Sequence, residues 1–132
     1  MRSDYKYDIC FNTRVDSFDA FPEALRALGR WFDERRWLVE PNADGNLQSS
    51  EAMQFFRWSE AGTRVTPKAL MEVAASRMQF FEGDICGRRE GEPEDSLRII
   101  ALRGYQWAVE TDDRALVEHL KRQYPDAVVK TS

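Results

Sequence analysis

Residues 96–110, SLRIIALRGYQWAVE, give the clearest indication of how the chain folds. Two segments rich in branched and aromatic side chains, residues 96–102 and 105–110, flank the pair Arg103-Gly104. Such segments favour β-strands, and a glycine between them favours a tight turn, although Arg-Gly is a weaker turn signal than Asn-Gly. The pattern therefore predicts a β-hairpin and, with it, an antiparallel sheet.

Three further segments have the pattern of strands. In residues 5–11, YKYDICF, every second side chain is aromatic or aliphatic, which is typical of a half-buried strand. Residues 37–41, WLVEP, predict a short strand that ends at Pro41, and residues 127–131, AVVKT, predict a terminal strand. Residues 42–50, NADGNLQSS, have the composition of a loop.

The first predicted helix spans residues 16–36, DSFDAFPEALRALGRWFDERR. Asp16 or Ser17 would cap it, and Pro22 would lie in its first turn. One apolar stripe recurs at helical spacing and consists of Phe21, Leu25, Leu28 and Phe32, with Phe18, Ala24 and Trp31 at its edges. The segment 29–37, GRWFDERRW, alternates Arg with Asp and Glu, which favours a solvated helix face over an RNA-binding surface.

Two more helices are predicted. Residues 66–81 begin with Thr66 as N-cap and Pro67 at the first helical position, and Gly83 would close the helix. Residues 111–124 would be capped by Thr111 and stopped by Pro125. The predicted buried faces are Leu70, Val73, Ala74, Met78 and Phe81 in the first of these helices, and Leu116, Val117, Leu120 and Tyr124 in the second.

Residues 50–62, SEAMQFFRWSEAG, are ambiguous. A helix here has a good cap, but its aromatic side chains spread around the helical wheel. The alternation of residues 53–58 instead favours a strand after a short helical turn at 50–53. The mixed order of helices and strands predicts a single α+β domain over residues 1–132, with one mostly antiparallel sheet and about three helices packed on it.

Composition narrows the range of functions. The chain has 132 residues, a net charge of -4 and a pI near 5.1. This acidic balance argues against nucleic acid as a partner, because proteins that bind nucleic acid need a basic surface. The N-terminal residues do not resemble a signal peptide, and no apolar stretch is long enough to cross a bilayer, so a cytoplasmic protein without membrane contact is expected. Cys10 and Cys86 are then expected to be reduced, small and buried.

No motif for catalysis, metal binding or cofactor binding stands out. His119 is the only histidine and lies outside the apolar stripe of its helix, so we expect it to be solvated. There is no CxxC, HExxH or GxGxxG spacing. Arg77 lies within the predicted stripe of the helix at 66–81. It would reach solvent, pair with a carboxylate, or form a small-ligand pocket with carboxylates.

Residues 82–96, EGDICGRREGEPEDS, contain a dense run of charge in which acids outnumber Arg88 and Arg89. Gly87, Gly91 and Pro93 keep this segment irregular. One interpretation is a solvated hairpin loop that aids solubility. The other is an acidic surface on which a basic partner docks.

The order of several segments is similar to that of a known family. A Trp-led strand (Trp37-Leu38-Val39) is followed by SSEAMQFF at 49–56 and by EAGTRVTPKAL at 60–70, and a charged loop with glycine then precedes SLRIIAL. This order resembles small immunity proteins of bacterial polymorphic and type VI toxin systems, nearest to the immunity protein 52 family. The resemblance covers residues 30–102.

The resemblance implies a non-enzymatic cytoplasmic inhibitor that binds a cognate protein toxin and occludes its active site, without a cofactor or metal. Candidate contact residues lie in the charged loop 88–95 and on the surface near Trp58 and Glu60: Trp58, Glu60, Arg88, Arg89, Glu90, Glu92, Glu94 and Asp95. Two alternatives remain open. One is a phage or mobile-element inhibitor of a host defence or regulatory complex, and the other is a small-ligand binder or unfamiliar enzyme with an Arg77/carboxylate pocket.

Overall fold

The hairpin predicted at 96–110 lies at the centre of one antiparallel sheet of eight strands, on which five helices pack. These elements come from a computed structural model that describes residues 2, 4–16, 18–47 and 49–131. The strands are β1 Tyr7–Asn12, β2 Arg36–Val39, β3 Asp44–Leu47, β4 Arg64–Val65, β5 Met78–Arg88, β6 Leu97–Ala101, β7 Gln106–Thr111 and β8 Val128–Thr131. The helices are α1 Ala20–Ala27, α2 Arg30–Asp33, α3 Met53–Ala61, α4 Pro67–Ala74 and α5 Arg114–Gln123. The predicted α+β class is confirmed.

The strand order across the sheet is β4-β2-β5-β6-β7-β1-β8, and β3 pairs with β5. The hairpin of β6 and β7 is confirmed, with Leu97 opposite Thr111 and Ala101 opposite Trp107. Its turn is longer than the two residues expected, because the Leu102 N–H donates to the Gln106 carbonyl at 2.9 Å.

The two faces of the sheet differ sharply in chemistry. Side chains that alternate to one face join the helices in the main core, where Trp107 stacks on Phe21 of α1 at 5.6 Å between ring centroids. The opposite side, called the polar face below, carries charged side chains on most of its strands: Asp8, Arg36, Arg64, Asp84, Arg88, Arg98, Glu110 and Lys130. The helices therefore cover the apolar face of the sheet, and the charged side chains of its strands lie on the opposite face.

The first predicted helix is two helices. Its stripe is buried as expected, but the chain breaks at Gly29, which has φ +54° between α1 and α2. The N-cap of α1 is Asp19 and not Asp16, and Ser17 lies outside the described residues. The continuous stripe gave no sign of this break because α2 resumes with the same face towards the core.

Helix α4 begins as predicted, with the Thr66 hydroxyl accepting a hydrogen bond from the Ala69 N–H at 3.2 Å. It ends at Ala74, so the predicted extension to residue 81 is wrong, and Met78 and Phe81 lie in β5. The reversal occurs at Arg77, whose φ is +61°. Gly83, expected to close the helix, lies inside β5.

Two other segments differ from expectation. Residues 53–58 form part of α3 and not a strand. The buried positions of α3 are Phe55 and Ser59, with the N-cap Ala52 also buried, and this stripe is too small and polar to be recognised. The predicted loop at 42–50 contains β3. Gly45 permits this pairing, because a Cβ there would lie 2.1 Å from the Gln79 carbonyl oxygen.

The last helix has its predicted buried face, but its N-cap is Asp113 and not Thr111. The Asp113 carboxylate accepts from the Ala115 N–H at 2.9 Å. Cys86 is buried, Cys10 is half-buried, and both are free, with β6 and β7 between their strands. Within the described part of the chain, no helix has both the length and the apolar character needed to cross a membrane.

Candidate functional site

The charged loop between β5 and β6 is tied down by Glu92. One carboxylate oxygen of Glu92 accepts from the Arg89 N–H at 2.6 Å and from the Ser96 hydroxyl at 2.7 Å. Its other oxygen lies 3.2 Å from the Arg89 guanidinium. Partial burial acts to raise the pKa of Glu92, but these hydrogen bonds and the Arg89 charge hold it below its usual value. Glu92 is thus a structural anion of the loop.

Asp95 also has a structural position. It is only 6% exposed, and its carboxylate binds Arg64 at 2.6 Å. The Nε of Arg88 approaches the same oxygen at 3.4 Å, but without hydrogen-bond geometry. An acidic residue buried between two guanidinium groups is not presented to a partner, in contrast to the surface that the sequence suggested.

Three of the predicted loop residues are accessible. The side chain of Arg89 is 51% exposed and that of Glu94 is 64% exposed, and Glu90 lies at the exposed tip of the loop. The structure therefore divides the predicted set into anchors that hold the loop and charges that a partner can reach.

Trp58 and Glu60 lie on α3, away from this loop. The neighbouring Ser59 hydroxyl donates to the Glu40 carbonyl at 2.8 Å, just past one end of β2. The charged loop follows Arg88, which is paired with Arg36 at the other end of β2. Glu60 is exposed, whereas Trp58 is half-buried against the core.

A cleft of about 550 Å³ lies beside the loop, and we call it the arginine cleft. Its basic lining residues are Arg35, Arg36, Arg64, Arg88 and Arg89, and its acidic ones are Asp33, Glu34, Glu90 and Glu92. Thr66 and Pro67, at the start of α4, form part of its wall. Sequence analysis assigned Arg35 and Arg36 to a solvated helix face and did not consider Arg64.

Arg35 is the most buried charge of the cleft, at 4% exposure. Its Nε donates to the Ser96 hydroxyl at 3.0 Å and its Nη1 to the Trp31 carbonyl at 2.9 Å. No carboxylate of the described residues lies within 4.0 Å of it. Burial and, next, repulsion from Arg89 lower the pKa of Arg35, and the charges of Glu92, Glu34 and Asp113 oppose that decrease.

A second cleft of about 490 Å³ lies on the other side of the loop, against the start of α5. Arg35, Arg89 and Glu92 line both clefts. Arg2 also lines the second cleft, where it forms an ion pair with Asp112. The loop therefore separates two clefts that are both lined by charged residues.

Two residues singled out in the sequence have other roles. His119 is half-buried and not solvated, with its ring 5.1 Å from that of Trp31 and its Nε2 3.0 Å from the Ala27 carbonyl oxygen. Arg77 is exposed, and its guanidinium lies 5.4 Å from the centre of the Phe18 ring. The described residues contain no group of three or more His, Cys, Asp or Glu side chains able to hold a metal ion.

Comparison with known proteins adds no identification. No protein family, curated protein or solved structure was found to match the chain.

Proposed function

We propose that this protein is a non-catalytic inhibitor that binds a cognate protein toxin and occludes the toxin's active site, with the β5–β6 loop as its contact surface. The observation that carries the proposal is that some charged residues of the loop hold its conformation while others are exposed to a partner. Glu92 and Asp95 fix its backbone, while the charges of Arg89, Glu90 and Glu94 remain exposed.

A fixed loop is a good docking element because less conformational entropy is lost when a partner binds. Exposed charges on such a loop accelerate association with a surface of complementary charge. Two exposed acids, Glu90 and Glu94, favour a basic partner surface. The similarity in segment order to immunity proteins supports a toxin as that partner.

The test is capture of the partner. The tagged chain is co-expressed with the products of neighbouring genes, and the complex is isolated and weighed by native mass spectrometry. The variant Glu90→Lys/Glu94→Lys reverses two exposed charges without touching the residues that anchor the loop. We expect it to weaken the complex at least tenfold, through a slower association rate that depends on salt.

The matched control is Glu118→Lys/Asp126→Lys, which makes the same change in net charge at two exposed positions on and after α5. It should leave the affinity unchanged. If a partner binds both double variants equally well, the loop is not the contact surface. If the neighbouring gene products yield no complex and the chain fails to inhibit any of them, the inhibitor proposal falls.

A further inference from the structure

Positive charge accumulates on the polar face where β4, β2 and β5 lie side by side. Arg36 and Arg88 are directly opposite each other in the β2–β5 register. Arg64 lies on the same face of β4, opposite Leu38 of β2. Like charges that face each other across two strands destabilise a sheet unless an anion lies near them.

The anion supplied by the protein does not serve all three arginines. Asp95 contacts Arg64 and Arg88, at 2.6 and 3.4 Å. Around Arg36, the described residues place no carboxylate within 4.0 Å. The Nε of Arg88 is buried and has no hydrogen-bond acceptor, which is a costly state for a guanidinium donor. Donor capacity is therefore left over at this corner of the sheet.

Arg35 also lines the cleft, but its side chain lies on the opposite face of the sheet from Arg36 and Arg88, because a Cβ at Gly87 would meet Arg35 Cδ at 2.9 Å. The guanidinium of Arg35 is buried there. The Ser96 hydroxyl separates it from the nearest loop anion, since that hydroxyl accepts from Arg35 Nε and donates to Glu92. Arg36 and Arg88 thus contribute two guanidinium groups on the polar face without a direct hydrogen bond to a carboxylate. Both line the arginine cleft.

We propose that the arginine cleft is a binding site for a compact oxyanion, a carboxylate or phosphate group, held by Arg36 and Arg88. A guanidinium presents paired N–H donors that match the oxygens of both groups. The volume of about 550 Å³ is within the range of small-ligand sites. Asp33, Glu34 and Glu90 also line the cleft and repel an extended polyanion, so the negative charge of the ligand is confined to one end. This site does not depend on the proposed toxin partner.

The test uses the full chain labelled with ¹⁵N. Inorganic phosphate and malonate are titrated separately, with sodium chloride at equal ionic strength as the reference, and the arginine Nε–Hε resonances are followed by NMR. We expect saturable shifts at Arg36 and Arg88 with at least one of the two oxyanions. Phosphate alone or malonate alone then identifies the group that the site prefers.

Two variants make the result specific. Arg36→Gln removes an exposed guanidinium and should weaken oxyanion binding at least fivefold, whereas Arg103→Gln, in the β6–β7 turn, should bind like the parent chain. Glu90→Gln removes a repelling charge and should strengthen binding about twofold. Shifts no larger than those in chloride, or equal affinities for Arg36→Gln and Arg103→Gln, would overturn the proposal. Neither result bears on partner capture by the loop.

Discussion

Asp95 shows how one side chain sets the conformation of a whole loop. Its carboxylate is buried, and it is shared by Arg64 and Arg88. Asp95→Asn should destabilise the protein by about 2 kcal/mol, because the two guanidinium groups then lose the anion that compensates them. Urea unfolding at pH 7 measures this. Glu94→Gln, at the adjacent exposed position, should change stability by less than about 0.5 kcal/mol. Equal effects of the two substitutions would contradict the structural role of Asp95.

Arg77 is in a backbone conformation that side chains with a Cβ rarely adopt, with φ +61°. Arg77→Gly and Arg77→Val both remove the contact with Phe18, so the difference between them isolates the backbone. We expect the valine variant to be less stable than the glycine variant by about 1–2 kcal/mol, because a branched Cβ is strained in the left-handed region. Thermal unfolding of both variants checks this. Equal melting temperatures would show that the turn at 75–77 relaxes to another conformation.

At the scale of elements, the local sequence pattern predicted those helices and strands whose formation depends on residues close together in the chain. The stripe through Phe21, Leu25 and Phe32 was sufficient to place a buried helical face, and the branched and aromatic segments around Arg103-Gly104 were sufficient to place β6 and β7. The end of α4 was missed because Met78 continues the helical spacing of Leu70 and Ala74. Pairing with β3, more than 30 residues earlier in the chain, is what makes residues 78–82 a strand. Such pairing leaves no local signal in the sequence.

The part of the candidate site that is contiguous in sequence was predictable, and the part assembled from distant segments was not. The charged loop was identified from composition because it is contiguous. Its neighbours Arg35, Arg36 and Arg64 come from two other segments, and only the β4-β2-β5 order brings them beside Arg88. The burial of Asp95 likewise results from contacts between segments 31 residues apart.

Strand β3 gives a direct test of pairing at this scale. Gly45→Ala would place a Cβ 2.1 Å from the Gln79 carbonyl oxygen, so β3 must move away from β5. We expect faster amide hydrogen exchange at residues 44–47 and 78–82, while β6 and β7 keep their protection. Gly91→Ala is the control, because a Cβ there meets nothing within 4 Å and the added strain is confined to the loop. If the amide hydrogen exchange of β3 is unchanged in Gly45→Ala, the pairing of β3 with β5 tolerates the added Cβ.

At the scale of the whole molecule, the polar face ties the central strands together through Arg98. Its Nε donates to Asp84 of β5 at 2.9 Å, and its Nη1 donates to Glu110 of β7 at 2.6 Å. Asp84 is only 4% exposed. Burial raises the pKa of Glu110 above its usual value, and Arg98 opposes that increase. Arg98 thus binds a carboxylate on each neighbouring strand, and it favours the charged form of Glu110.

This arrangement predicts a pH-dependent loss of stability in Arg98→Met. Without the guanidinium, burial raises the pKa of Glu110 further, and a raised carboxyl pKa destabilises the fold above the ordinary Glu pKa of 4.5. We expect a deficit of about 3 kcal/mol at pH 7 relative to the parent chain, which becomes smaller as the pH falls through the raised pKa of Glu110 and this group is protonated. Denaturant unfolding of both chains from pH 7 to pH 4 measures the deficit, with Arg103→Met, an exposed arginine outside the network, expected to show none at either pH. A deficit that is constant with pH would mean that Arg98 stabilises the sheet through the packing of its aliphatic stem and not through its charge.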